Sequence, residues 1–156
     1  MVKLVDGTGR SGDYASMDEG HLHHLILEAF RSLDREIEAA LEDRGGGELR
    51  PSQAMALILV DRTGTRLSDL AQRASITKQA MMQIVDDLQE KGCVRRIPDT
   101  EDARAKMVRL TAKGLRLRAS SRQSIQAVES RIRRRLGSRR YEGLRAALSE
   151  VSEAEE

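Results

Sequence analysis

Tryptophan is absent and phenylalanine occurs once, so aromatic residues make up only 2% of the 156-residue chain, little material for an aromatic-lined pocket. A single cysteine, Cys93, excludes an internal disulfide framework and fits a reducing compartment. No apolar run approaches the roughly 18 residues that a bilayer-crossing helix needs. The start of the chain lacks an apolar signal core with a small-residue cleavage site. A cytoplasmic protein without a membrane partner is therefore expected. With only three histidines, and no nucleophile elbow, phosphate loop or acid pair in a workable arrangement, the chain is not expected to be an enzyme and calls for no cofactor.

Charge of one sign is also nearly missing: the formal net charge is +2, with 33% charged residues and 39% hydrophobic residues, a soluble, charge-rich and probably helix-forming composition in ordinary proportions. Its distribution is uneven. Residues 1–61 carry twelve acids and six bases, whereas residues 62–122 carry fourteen bases and seven acids. A basic middle beside an acidic flank is the electrostatic footprint of a polyanion-binding protein. It is equally the pattern of a solvated basic face, so charge alone decides nothing.

Periodicity orders the chain. Residues 1–18 show none, are dotted with Gly, Ser and Asp, and read as a disordered extension. Gly7, Gly9 and Gly12 there match the spacing of a dinucleotide-binding loop, but the polar stretch that follows supplies neither the helix nor the second strand such a loop requires. From His21 to Asp43 apolar residues step by three and four, an amphipathic helix ended by Gly45-Gly46-Gly47. Pro51 suits the first position of a second helix, and "RTGT" turns the chain. Ser68 is expected to cap a short third helix and Thr77 a fourth, which Gly92 closes; the pair makes a helix-turn-helix.

"RIPDTEDARAKMVRL", Arg96 to Leu110, then reads as part of a β-hairpin over 94–111, with Pro98 ending the ladder and Asp99, Thr100 and Glu101 in the turn. "TAKG" opens a long fifth helix, Gly137 breaks it and Ser138 is expected to cap the last, where Tyr141, Leu144, Leu148 and Val151 form a seam. The expected fold is mainly α with a small β-hairpin wing: a winged helix-turn-helix flanked by N- and C-terminal helices.

Two places carry chemistry. The fourth helix buries Met81, Ile84, Val85 and Leu88 and leaves Thr77, Lys78, Gln79, Met82 and Gln83 outward. Lys78 stands in its first turn and Asp86, Asp87 and Glu90 towards its end, against the helix dipole. A polyanion docked at the N-terminus reconciles this, because the cation and the free backbone N–H groups then act on the same phosphates. Gln79 suits a bidentate contact with adenine and Met82 a thymine methyl. In the hairpin, Asp102 and Arg104 are two apart, so the carboxylate can brace the guanidinium for entry into a minor groove. Arg95, Arg96, Lys106 and Arg109 on the arms suit phosphates. Each feature also has a bland reading, as a tolerated surface helix and an ordinary solvated turn.

Leu67 to Gly114 closely resembles the core of the MarR family of winged-helix transcriptional regulators. The matching elements are "LSDLA", "TKQ" before the fourth helix, "PD" before the tip, Asp102, Arg104 and Lys106 in D-x-R-x-K, and the "RLTAKG" exit; Leu49, Gln53 and Leu57 fit the second helix. The resemblance implies a homodimer joined through residues 19–48 and 115–156, with residues 49–114 reading double-stranded, palindromic DNA. It implies Arg104 as the minor-groove residue and Asp102 as its brace. It further implies a repressor released by a small aromatic or phenolic effector bound between the dimer helices and the winged domain. Met82, Gln83 and Ala54 depart from the family's usual residues, so base preference does not carry over.

Three rival readings remain. Cys93 is a redox-switch candidate, against the plainer reading of a buried hydrophobe. His21, His24 and Glu28 share a helix face and are metal-ligand candidates, against polar residues at a helix start. A winged helix serving only protein contact is the third, since fold does not fix function.

Overall fold

The computed structural model describes residues 21–43, 49–99 and 106–153. The elements are α1 (Leu22–Leu41), α2 (Pro51–Leu59), β1 (Thr65–Arg66), α3 (Leu67–Arg73), α4 (Lys78–Glu90), β2 (Val94–Pro98), β3 (Lys106–Leu110), α5 (Ala112–Leu136) and α6 (Ser138–Glu153). The glycine-rich loop-like motif at 7–12, the Gly45-Gly46-Gly47 stop, and the tip residues Asp102 and Arg104 lie outside the described residues.

The chain divides into two units, Met1–Arg35 and Glu36–Glu156. In the first, the described residues are the first turns of α1, whose Leu22, Leu25, Ile26 and Phe30 are exposed at helical spacing. In the second, α2, α3 and α4 pack with the sheet around one aliphatic core that includes Leu57, Leu70, Met81, Val85, Leu88 and Val108. Pro51 opens α2 at its first position, as expected, where its missing N–H costs nothing. Buried Ser124 on α5 donates to the Ala40 carbonyl at 2.8 Å, tying the end of α1 to α5. No residue of α6 is buried, and Leu144, Leu148 and Val151 stand exposed along it.

Two details of the helix starts differ from expectation. Ser68 does not cap α3: the helix begins one residue earlier, after Arg66, and the Ser68 hydroxyl instead donates to Asp69. The cause is a strand that periodicity missed. Thr65 and Arg66 pair with Val108 and Met107, making a three-stranded antiparallel sheet of order β1-β3-β2. That pairing holds Arg66 extended, and helix follows directly. At two residues, β1 is too short to show alternation; Gly64, at φ +113°, lets the backbone lie close to the Val108 carbonyl. Likewise Ser138 is the first residue of α6 rather than its cap, because the Gly137 carbonyl accepts from Tyr141 N–H at 3.1 Å and occupies the cap position itself.

Candidate nucleic-acid interface

The turn between α3 and α4 is a Schellman closure: Ile76 N–H donates to the Ala71 carbonyl at 3.1 Å and Ser75 N–H to Gln72 at 3.0 Å. Ser75 takes the left-handed conformation, φ 52°, that such a closure demands. Two residues later the Thr77 hydroxyl accepts from Ala80 N–H at 3.1 Å and starts α4, as the sequence predicts. Met81, Val85 and Leu88 face the core and Ile84 is half-buried. Thr77, Lys78, Gln79, Met82 and Gln83 all face outward. No acid lies in the first turn, so a cation and free backbone donors stand together at that end.

The acids at the other end of α4 have partners. The Arg96 guanidinium reaches Asp86 at 2.6 Å and Gln89 at 2.9 Å, so this arm residue leans onto α4. Asp87 accepts from the Gln53 amide at 3.1 Å. The Gln53 carbonyl oxygen accepts from Lys91 Nζ at 2.8 Å and from Arg50 N–H at 3.1 Å, which is one half of a capping box at the start of α2. At 2% exposure Gln53 is a buried polar hub joining α2 to α4. The acids' position against the dipole is therefore explained within the chain, by what they hold.

In the wing, β2 and β3 pair from Val94↔Leu110 to Pro98↔Lys106. Alternation sends Val94, Val108 and Leu110 into the core and Arg96 to α4, while Arg95 and Arg109 are exposed and directly opposite one another on the outer face. Lys106 is exposed at the start of β3. Asp99, expected as a turn acid, is buried instead. Its carboxylate accepts from Arg66 Nε at 2.6 Å, with the Asp99 side chain 4% and the Arg66 side chain 41% exposed. This bond pins the end of β2 to β1, immediately before the tip. Nothing in composition or spacing pointed to Arg66; the one signal was the Pro-Asp dipeptide, read as a turn.

The far end of the hairpin is fixed as tightly. Thr111 donates to the Gly92 carbonyl at 2.7 Å and accepts from Gly114 N–H at 3.1 Å, capping α5. Gly114 has no room for a side chain, because a Cβ would land on the Cys93 carbonyl. The "RLTAKG" exit is thus a docking joint between wing and helix. Arg73, on α3, spans the Leu59 carbonyl at 3.1 Å and Asp61 at 2.9 Å.

The rival sites are placed as well. Cys93 is fully buried in the core, its thiol 3.7 Å from the Lys91 carbonyl. His24 pairs with Glu28 at 3.3 Å, and among the described residues no three His, Cys, Asp or Glu side chains come together to hold a metal ion. No helix among those residues is long and apolar enough to cross a membrane.

Comparison with known proteins agrees with this geometry. Residues 48–105 match the MarR family. The HTH-type transcriptional repressor Rv2887 of Mycobacterium tuberculosis is 29% identical over 119 residues, covering 76% of this chain and 84% of its own. Its structure in complex with salicylic acid superposes with a TM-score of 0.64 at 26% identity, over 86% of this chain and 98% of that one. The Staphylococcus aureus MepR–DNA complex gives 0.76 at 19% identity, covering 87% and 99%. The repressor CouR bound to a 23-mer DNA duplex gives 0.75 at 20%, covering 85% and 92%.

Proposed function

We propose that this chain, a member of the MarR family, is a sequence-specific DNA-binding transcriptional regulator. It acts as a repressor that binds a palindromic operator as a homodimer and responds to a small molecule. The observation that carries this reading is the outward face of α4. There Lys78, Gln79, Met82 and Gln83 stand together just after a well-formed cap, with no acid in the first turn. A 13-residue helix is about 20 Å long and fits a major groove end-on. Lys78 and the first-turn N–H groups take a phosphate, while Gln79 and Met82 meet base edges. Arg104, braced by Asp102, enters the minor groove, and Arg95 and Lys106 contact phosphates. Arg96 acts mainly through Asp86 and Gln89, holding the wing against the reading helix.

Residues 19–48 and 115–156 supply the dimer contacts. The exposed Leu22, Leu25, Ile26 and Phe30 of α1, and Leu144, Leu148 and Val151 of α6, are the apolar surfaces that a second copy would cover. The salicylic acid bound by Rv2887 and the p-coumaroyl-CoA bound by CouR of Rhodococcus jostii RHA1 support an aromatic or phenolic effector. The protein is cytoplasmic and has no enzymatic activity in this reading.

The test is a titration against fluorescent duplex from beside the protein's own gene, with a scrambled duplex as control, at about 50 and 200 mM salt. Tight, competition-resistant binding that falls with salt and saturates at one dimer per site is expected. Arg104→Ala should weaken it while leaving dimerisation intact. Equal binding by Arg104→Ala and the parent would refute the role given to the wing.

A further inference from the structure

On the outer face of the sheet, turned away from α4, lies a cleft of about 610 Å³, within the range of small-molecule sites. Ile97, Pro98 and Met107 give it an apolar wall, and Arg66, Arg73 and Arg109 bring cations to it. Its acids are largely occupied: Asp99 accepts from Arg66, and Asp61 from Arg73 and Thr65. Asp69 sits in the first turn of α3, where the helix dipole favours it, and accepts from Ser68.

The charge left over belongs to arginine. Arg109 lines the cleft, faces Arg95 directly across the β2–β3 ladder, and like Arg95 has no acid partner among the described residues. Like charges directly opposite on a strand pair oppose pairing. An anion between or beside them removes that repulsion, and the guanidinium fork matches a carboxylate bidentately.

We propose that this cleft binds a small organic anion, a carboxylate on a flat apolar body, with Arg109 on the carboxylate and Ile97 and Met107 against the body. The site is separate from the reading face of α4. It has a built-in route to the wing: Arg66 forms part of the wall, and its partner Asp99 is the last described residue before the tip. An anion that draws on Arg66 loosens the hold on Asp99 and so changes how the tip is presented. That consequence rests on the DNA-binding reading; occupancy of the cleft does not.

The experiment is calorimetric titration of the full chain with benzoate, and with benzylamine as a cation on a similar body, in the absence of DNA. Benzoate should bind saturably and benzylamine should not. Arg109→Gln should weaken benzoate about tenfold or more, the loss of one charge-assisted contact. Met107→Glu, which sets an anion in the same wall, should abolish it. Arg134→Gln, at the far end of α5, should change nothing. The proposal is overturned if benzoate shows no saturable binding, if benzylamine binds equally well, or if the Arg109→Gln and Met107→Glu variants both bind benzoate like the parent. If the DNA reading alone were wrong, operator binding would be missing while benzoate binding and its dependence on Arg109 persisted.

Discussion

Replacing Asp99 by Asn tests whether the base of the wing is held by a buried charge. The carboxylate is 4% exposed and its partner guanidinium 41%, with 2.6 Å between Nε and Oδ2. A fully exposed pair contributes about 0–1 kcal/mol, and breaking a fully buried one costs about 3–5 kcal/mol. With one partner buried and the other half in water, the loss should be near that of a hydrogen bond to a charged group, about 1.5–3 kcal/mol. For a chain of this length that is a fall of roughly 3–12 °C in unfolding midpoint. Parent and variant must be compared at equal protein concentration, because a dimer's midpoint depends on it.

The assay is urea unfolding of Asp99→Asn, Arg66→Gln and the double variant, repeated at about 1 M salt, where the screening length is near 3 Å. The same cycle on Arg73 and Asp61, a pair 2.9 Å apart with side chains 45% and 53% exposed, is the reference. The Arg66–Asp99 coupling should exceed about 1 kcal/mol and persist in salt, whereas the Arg73–Asp61 coupling should be smaller and fade. A coupling below about 0.5 kcal/mol that vanishes in salt would mean that Asp99 is the turn acid its dipeptide suggests. Asp99→Asn should also weaken specific DNA binding more than non-specific binding, since it alters how the tip is delivered rather than how many phosphates are met.

Ser75→Gly should raise stability by about 0.5–1 kcal/mol: Ser75 holds φ 52°, which costs an L-residue energy that glycine avoids, less glycine's greater backbone entropy. An unchanged or lowered urea midpoint would show that the turn is not strained. Gly114→Ala should cost about 3 kcal/mol or more, because the added Cβ meets the Cys93 backbone carbonyl and the start of α5 must move. Urea unfolding within about 0.5 kcal/mol of the parent would refute the close approach.

Most of this architecture was legible because it repeats. Apolar steps of three and four marked all the long helices, Thr77 and Thr111 marked two caps that the structure bears out, and Gly92 and Gly137 marked ends. What escaped was whatever depends on a single long-range pairing. β1 holds two residues, and its partner lies more than forty residues on, so no local pattern announces it. Ser68 was misread for the same reason, as it is a good cap only if Arg66 is not already held extended by Met107.

The acids of α4 show the limit most clearly. Their placement against the dipole was read as the mark of a bound polyanion, yet Asp86 and Asp87 are answered by Arg96 and Gln53, from elements on either side in the chain. What remains for DNA is the absence of any acid beside Lys78, a narrower signal than the whole-helix charge gradient. A residue's charge in the sequence therefore indicates a partner but not its location. Asp86→Asn should reach DNA affinity only through the position of Arg96 and the wing, so its effect should disappear in a background where Arg96 is already Gln. Additive losses in the double variant would instead mean that Asp86 and Arg96 act on the duplex separately.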